Sequence, residues 1–165
     1  MRIPILCGLL ALLMAGCAHH RALPRYEKPI ARSEFQNVRT TAYTHTEADH
    51  RAYGRNNALG TTLNCGRIKS AAADWSRWPA GTVFRVVGTN EVYQVDDYGW
   101  ALAGRNTIDL YKPTRYDMNR WGARVVTIQI LRWGDVNYSY QVLKPRSRYP
   151  HVNRMVREIE GKPVA

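Results

Sequence analysis

Between residues 38 and 131 the chain is a run of short segments rich in β-branched and aromatic residues, each closed by a glycine or another turn former. Gly54, Gly60, Gly66, Gly81, Gly88, Gly99 and Gly104 divide it. Segments this short, with side chains alternating between two faces, cannot build long helices and must pair as strands. "VRTTAYT" alternates β-branched and aromatic residues. "TVFRVVG" (82–88) and "VYQVDD" (92–97) read as two strands joined by a hairpin-like turn at "GTNE". "RVVTIQIL" (124–131) puts Val126, Ile128 and Ile130 on one face and Val125, Thr127 and Gln129 on the other. "YSYQVL" (138–143) is expected to pair with it across "RWGDVN". Strands at this spacing predict an all-β domain of the small-barrel kind.

Two helices interrupt the pattern. In "TRYDMNRW" (114–121), Thr114 stands at a cap position with Asp117 three residues later, and Gly122 follows as a stop. In "YPHVNRMVREIEG", Pro150 suits a first helical turn, and Gly161 ends the segment. Val152, Met155, Val156 and Ile159 form an apolar stripe that should dock on the barrel.

The first residues belong to a different layer of organisation. Arg2 gives a short positive head, and residues 3–14 are an apolar run too short to span a bilayer. This reads as a secretory signal over residues 1–16. Ala15 and Gly16 directly before Cys17 resemble a bacterial lipobox, in which the cysteine is acylated and becomes the first mature residue. The alternative is an ordinary signal peptide that contains a cysteine. Two or more acyl chains anchor stably where one does not. Ala18, with no Asp after the cysteine, favours the outer membrane, facing the periplasm. Residues 18–36, with two prolines and many charges, are expected to be a flexible tether. The barrel is expected over 37–134, and a strand and docking helix over 135–165.

Charge restricts the partners. The chain carries 24 Lys+Arg against 13 Asp+Glu, a net charge of +11, and removing residues 1–16 costs only Arg2. A cationic surface favours polyanions. For an exported protein these are cell-wall polymers and lipid head groups, and nucleic acid is excluded as a partner. No zinc-finger, helix-turn-helix or RNA-binding pattern is present in the sequence. Cys7 leaves with the signal and Cys17 with the lipid, so Cys65 remains alone, expected to be small and half-buried. No Cys/His group has metal spacing, so neither a metal nor a cofactor is expected.

In so basic a chain the acids stand out. Asp74, Asp97 and Asp109 each lie beside apolar residues, where an ionised carboxylate needs partners. Asp74 and Asp97 precede good turn chemistry and could serve only as caps. Asp96, next to Asp97 in a strand, should face the other way and be solvated. Asp109, between Ile108 and Leu110, has no turn residue beside it. A carboxyl in apolar surroundings holds its proton to higher pH, as a general acid requires.

Taken together, "TAY", "AADW" with Pro79, Gly81 and Thr82, "VDDYGWALAG", "IDLY" and "WGARVVTIQIL" resemble the three-aspartate (3D) domain. That domain forms the barrel of membrane-bound lytic transglycosylase A and occurs in stationary-phase and resuscitation-type muralytic proteins. The resemblance covers about residues 38–134. Two departures lie at the acids: Trp100 replaces a glycine, and one extra residue separates Asp97 from Asp109. The resemblance implies a six-stranded double-psi β-barrel acting on the peptidoglycan glycan strand. It implies Asp109 as the catalytic acid, Asp97 as the group that tunes it, and Asp74 as a residue that shapes the cleft or holds the fold. Tyr43 would line the groove, with Tyr98, Trp100, Trp75 and Trp78 as sugar-stacking candidates, the tryptophans being equally suited to the core, and Thr82 in the neighbouring turn. It implies lytic transglycosylase activity, or a non-catalytic module that binds the same strands.

Overall fold

A computed structural model describes residues 21–48 and 50–164. The signal, Cys7, Cys17 and the histidines at 19 and 20 lie outside the described residues. Among the described residues, six strands form a closed ring: β1 (Phe35–Tyr43), β2 (Ile68–Ala72), β3 (Val83–Val86), β4 (Val92–Asp97), β5 (Thr107–Tyr111) and β6 (Arg124–Arg132). The order around the barrel is β1-β5-β2-β4-β3-β6, with β6 pairing back onto β1.

The pairing has an internal symmetry. β1 is parallel to β5, and β2 is parallel to β4. β2–β5, β3–β4, β3–β6 and β1–β6 are antiparallel. Exchanging β1, β2 and β3 with β4, β5 and β6 reproduces every one of these pairs. The chain therefore contains two three-strand halves that interlock, each lending a strand to a parallel pair of the other. A parallel pair cannot be made by a hairpin, which is why long connections cross the barrel surface.

Alternation along each strand fills the interior. Val38, Ala71, Phe84, Val86, Tyr93, Val95, Ile108, Leu110 and Ile128 are buried in one core. Phe84 and Tyr93 stack at 5.6 Å between ring centroids on paired strands. Trp75 and Trp78 are buried in the same core, their indoles donating to the Asp97 carbonyl (2.8 Å) and Gln36 Oε1 (2.9 Å). Neither tryptophan is available to a sugar. The β3–β4 turn places Gly88 and Asn90 at positive φ, a conformation that favours glycine and asparagine.

Three α-helices lie outside the barrel strands among the described residues. α1 (Arg115–Trp121) begins at Thr114, whose hydroxyl accepts from the Asp117 amide, and ends at Gly122. α2 (Val136–Leu143) replaces the strand expected at 138–143. The reason is local: Asp135 accepts from the Tyr138 amide as a helix cap, and Ser139 and Leu143, four apart, are buried together. α3 (Pro150–Ile159) carries the expected stripe, with Val152, Met155 and Val156 in the core and Ile159 packed at its margin.

The segment expected to be a flexible tether is held against the barrel from its first described residues. The Glu27 amide donates to the Gly104 carbonyl at 2.8 Å, Arg77 to the Glu27 carbonyl at 2.5 Å and Arg154 to the Pro24 carbonyl at 2.6 Å. β1 then starts at Phe35, inside the range expected to be tether. Proline and charge content signalled the absence of a regular element, but these main-chain carbonyls find buried arginines that no local pattern reveals. Cys65 is exposed and unbridged, not half-buried as expected. No helix among the described residues is long and apolar enough to cross a membrane.

Candidate active site

The acids of β4 and β5 lie on either side of β2. Asp109 stands opposite Ala72, and Ala72 stands opposite Asp97. On the other side of β5, Asp109 pairs with Thr41 of β1. Thr41, Asp109, Ala72 and Asp97 thus form one row across four adjacent strands. Ile108 and Leu110 belong to the barrel core, so Asp109 between them points outward. Tyr43, Leu63, Ala72, Leu102 and Tyr111 make a second, smaller apolar cluster on that outer side.

Asp97 is buried, 7% exposed, and both its oxygens are engaged. Oδ1 accepts from the Ala58 amide (3.0 Å) and the Tyr98 amide (2.9 Å), and Oδ2 accepts from the Tyr43 hydroxyl (3.1 Å). Burial pushes its pKa up to about 7, against the lowering effect of these donors, and the Asp96 charge adds to the rise. Tyr43, buried against Asp97, Asp96 and Asp109, has its own pKa raised well above the usual phenol range and stays a donor.

Asp96 is not the solvated partner expected from strand alternation. Between Ala71 and Ala72 the pairing slips, so that Val95 and Asp97 face consecutive residues of β2 and Asp96 is the extra one. A bulge of this kind breaks the alternation and bends the strand. Asp96 is 8% exposed, and its Oδ2 accepts from Ser70 Oγ (2.6 Å) and Asn57 Nδ2 (3.0 Å). Burial raises its pKa also. One loop therefore covers both acids, Asn57 holding Asp96 and the Ala58 amide holding Asp97.

Asp109 is half-buried and accepts from the Thr41 hydroxyl at 2.8 Å. Its sequence neighbours suggested an apolar pocket, but they lie on the opposite face of the strand. Of the two acids in the row, Asp109 is the more open to solvent. Beside it, Tyr111 bonds His45 Nδ1 at 2.9 Å, and the Tyr43 and Tyr111 rings lie 5.6 Å apart. Thr41, His45, Asn57 and Tyr111 enter the site without having been expected there. Thr41 and Tyr43, two apart in "TTAY", could have been placed on one face from alternation alone, whereas nothing local marks Asn57.

The other expected site residues lie elsewhere. Asp74 is fully buried and does not reach the surface: Oδ1 accepts from the Ser76 amide (2.8 Å) and hydroxyl (2.5 Å), and Oδ2 from the Gly104 amide (2.5 Å). Burial raises its pKa, opposed by these bonds and by Arg77. It ties the 74–78 turn to the turn before β5, so its role is to hold the fold. Thr82 is also fully buried, donating to the Pro79 carbonyl and accepting from the Gly134 amide. Neither residue can touch a substrate. Tyr98 is half-buried, edge-on to Trp75 at 5.0 Å, and its hydroxyl accepts from Arg146 at 3.2 Å. Trp100 is half-buried and donates to the Ala22 carbonyl at 3.1 Å.

Depressions of about 600 and 620 Å³ open on the surface; neither is lined by Asp97 or Asp109, although Tyr111 lines the second. Among the described residues, no group of three or more His, Cys, Asp and Glu side chains could hold a metal ion. No protein-family model matches the chain, and no curated protein sequence matches it.

Proposed function

We propose that this protein is a lipid-anchored envelope protein whose barrel is of the double-psi, three-aspartate type and cleaves the glycan strand of peptidoglycan as a lytic transglycosylase. The observation that carries the reading is the row Thr41–Asp109–Ala72–Asp97, in which two acids of the motif flank one residue in different settings. The exchange symmetry of the two halves and their two parallel pairs support the double-psi assignment.

The chemistry asks for one carboxyl that gives and then takes a proton. Asp109, the acid open to solvent, is that group. As an acid it protonates the oxygen linking MurNAc to GlcNAc while the bond from that oxygen to C1 breaks. As a carboxylate it then takes the proton of the MurNAc C6 hydroxyl, whose oxygen bonds to C1. The products are a free GlcNAc 4-hydroxyl and a 1,6-anhydro end, with no water consumed. Asp97, with its oxygens occupied, acts through the electrostatics and rigidity of the row. Cys17 carries the anchor, and the protein works at the outer membrane facing the periplasm.

The test is digestion of purified sacculi, with anhydro-muropeptides read by mass spectrometry. Wild type should release them and Asp109→Asn should not, while the variant still folds. General acid–base catalysis contributes about 10²–10⁴-fold, so the loss should be plain. The burial of Asp97, which leaves Asp109 the more open acid of the row, favours a second reading, a module that binds denuded glycan without cutting it. Wild-type protein that retains glycan and yields no anhydro ends would establish that reading instead.

A further inference from the structure

We propose that the face formed by residues 21–25 and the start of α3 lies directly on an anionic lipid surface, so that the barrel is held flush to the membrane in one orientation. The inference rests on the anchor reading of Cys17 for its distance, and on the described residues for the face.

The distance follows from the pinned segment. Trp100 Nε1 holds the Ala22 carbonyl at 3.1 Å. Arg154, 7% exposed, reaches both the Pro24 carbonyl (2.6 Å) and the Ala103 carbonyl (3.2 Å). The Tyr26 hydroxyl donates to Glu158 of α3 at 3.1 Å. The fixed point nearest the acylated end is therefore Ala22, five residues from Cys17. A fully extended chain covers at most about 3.6 Å per residue, so this span reaches no more than about 18 Å. A domain so attached cannot stand off at a distance or turn freely, and the face around Ala22 must point toward the bilayer.

That face has the chemistry for the contact. The depression of about 600 Å³ there is lined by Leu23, Arg148, Pro150, Arg154, Arg157 and Val164 among others, with no carboxylate among its described lining residues. Arg148 lies over the Tyr149 ring at 4.8 Å, and Tyr149 is 44% exposed. Nearby acids are engaged by cations or hydroxyls: Glu27 by Arg105, Glu158 by Tyr26, and Glu160 by Lys144 and Lys162. Guanidinium groups attract anionic head groups, tyrosine settles at the head-group level, and aliphatic side chains enter the acyl boundary.

The test uses the full chain, expressed with its own leader, purified from membranes and reconstituted in vesicles of phosphatidylcholine with or without phosphatidylglycerol. Intact mass reports acylation of Cys17, and hydrogen–deuterium exchange reports the face. Peptides covering 21–25, 147–149 and 161–164 should exchange more slowly on the anionic vesicles. Arg148→Glu with Arg157→Glu should remove that difference while leaving acylation and the fold intact. Equal exchange on both vesicle types in an acylated chain overturns the proposal. Should Cys17 prove unmodified, the anchor reading fails separately. Vesicles added to the soluble chain then decide the face, with composition-dependent protection supporting it and indifference to composition overturning it.

Discussion

The Tyr43 hydroxyl donates to Asp97 Oδ2 at 3.1 Å, joining the last residue of β1 to the last residue of β4 beneath a covering loop. The bond lowers the Asp97 pKa, yet burial outweighs it and leaves the value at about 7. Removing the donor with Tyr43→Phe should push that pKa higher still. Carboxyl-carbon NMR titration measures it, and an unchanged or lower value would mean the hydroxyl does not stabilise the carboxylate.

The same group ties stability to pH. With its folded pKa raised above the ordinary value of 3.8, Asp97 binds a proton more tightly in the folded state than in the unfolded one. Its favourable contribution is complete below about pH 4 and is lost as pH rises toward about 7. The rise from 3.8 to about 7 corresponds to on the order of 4 kcal/mol as a ceiling. Denaturation midpoints for wild type should fall across this window, and Asp97→Asn should flatten the fall. A slope that survives the substitution unchanged would assign the effect to Asp96 or Asp74.

Asp96 gives a sharper test, because alternation and structure disagree about it. A solvated side chain would make Asp96→Asn silent. In the bulge, Asp96 is buried with its charge beside Asp97, its Oδ2 held by Ser70 and Asn57. Asp96→Asn should therefore lower the Asp97 pKa, observed in the same titration.

These residues show where the sequence could be read and where it could not. β3, β4, β6, α1 and α3 follow from period and caps that sit within each element. Alternation within β4 cannot locate Asp96, because the bulge is set by the pairing of β4 with β2, a strand distant in sequence. For Asp109 the sequence cue is indirect: Ile108 and Leu110 are apolar because they face the core, whereas the outer side on which it sits is set by Ala72, Thr41 and the tyrosines of neighbouring strands. The 138–143 segment turned helical because of one capping aspartate and a four-residue spacing. Residues 21–28 are ordered by Arg77 and Arg154, which composition counted only as charge.

The turn after β6 offers a stability test independent of any function. A Cβ on Gly134 would stand 2.3 Å from the Ala80 carbonyl oxygen, 2.4 Å from that of Pro79 and 2.6 Å from the Thr82 amide. All three are backbone atoms in the turn that Thr82 closes through the Pro79 carbonyl and Gly134 amide. Gly134→Ala must displace that turn and should cost about 1–3 kcal/mol, as overpacking does. Chemical denaturation checks this. Gly88→Ala, which has open space but a φ of 91°, separates backbone strain from close approach and should cost less.

Thr41 is a positioning residue for Asp109. Its hydroxyl donates to Asp109 Oδ1 at 2.8 Å from the neighbouring parallel strand, in direct register. If Asp109 exchanges a proton with the glycan, that bond helps fix the orientation of the carboxyl. Thr41→Val keeps the shape and the β-branched strand residue but removes the donor. One hydrogen bond is worth about 1 kcal/mol, so turnover of sacculi should fall by roughly five- to tenfold. The fall should appear in kcat, with KM little changed, because the carboxyl is misaligned and the glycan face is intact. Thr41→Ser restores the donor and should recover most of the rate. Equal rates for Thr41→Val and wild type, or a loss shared equally by the serine variant, would show that the hydroxyl does not orient Asp109.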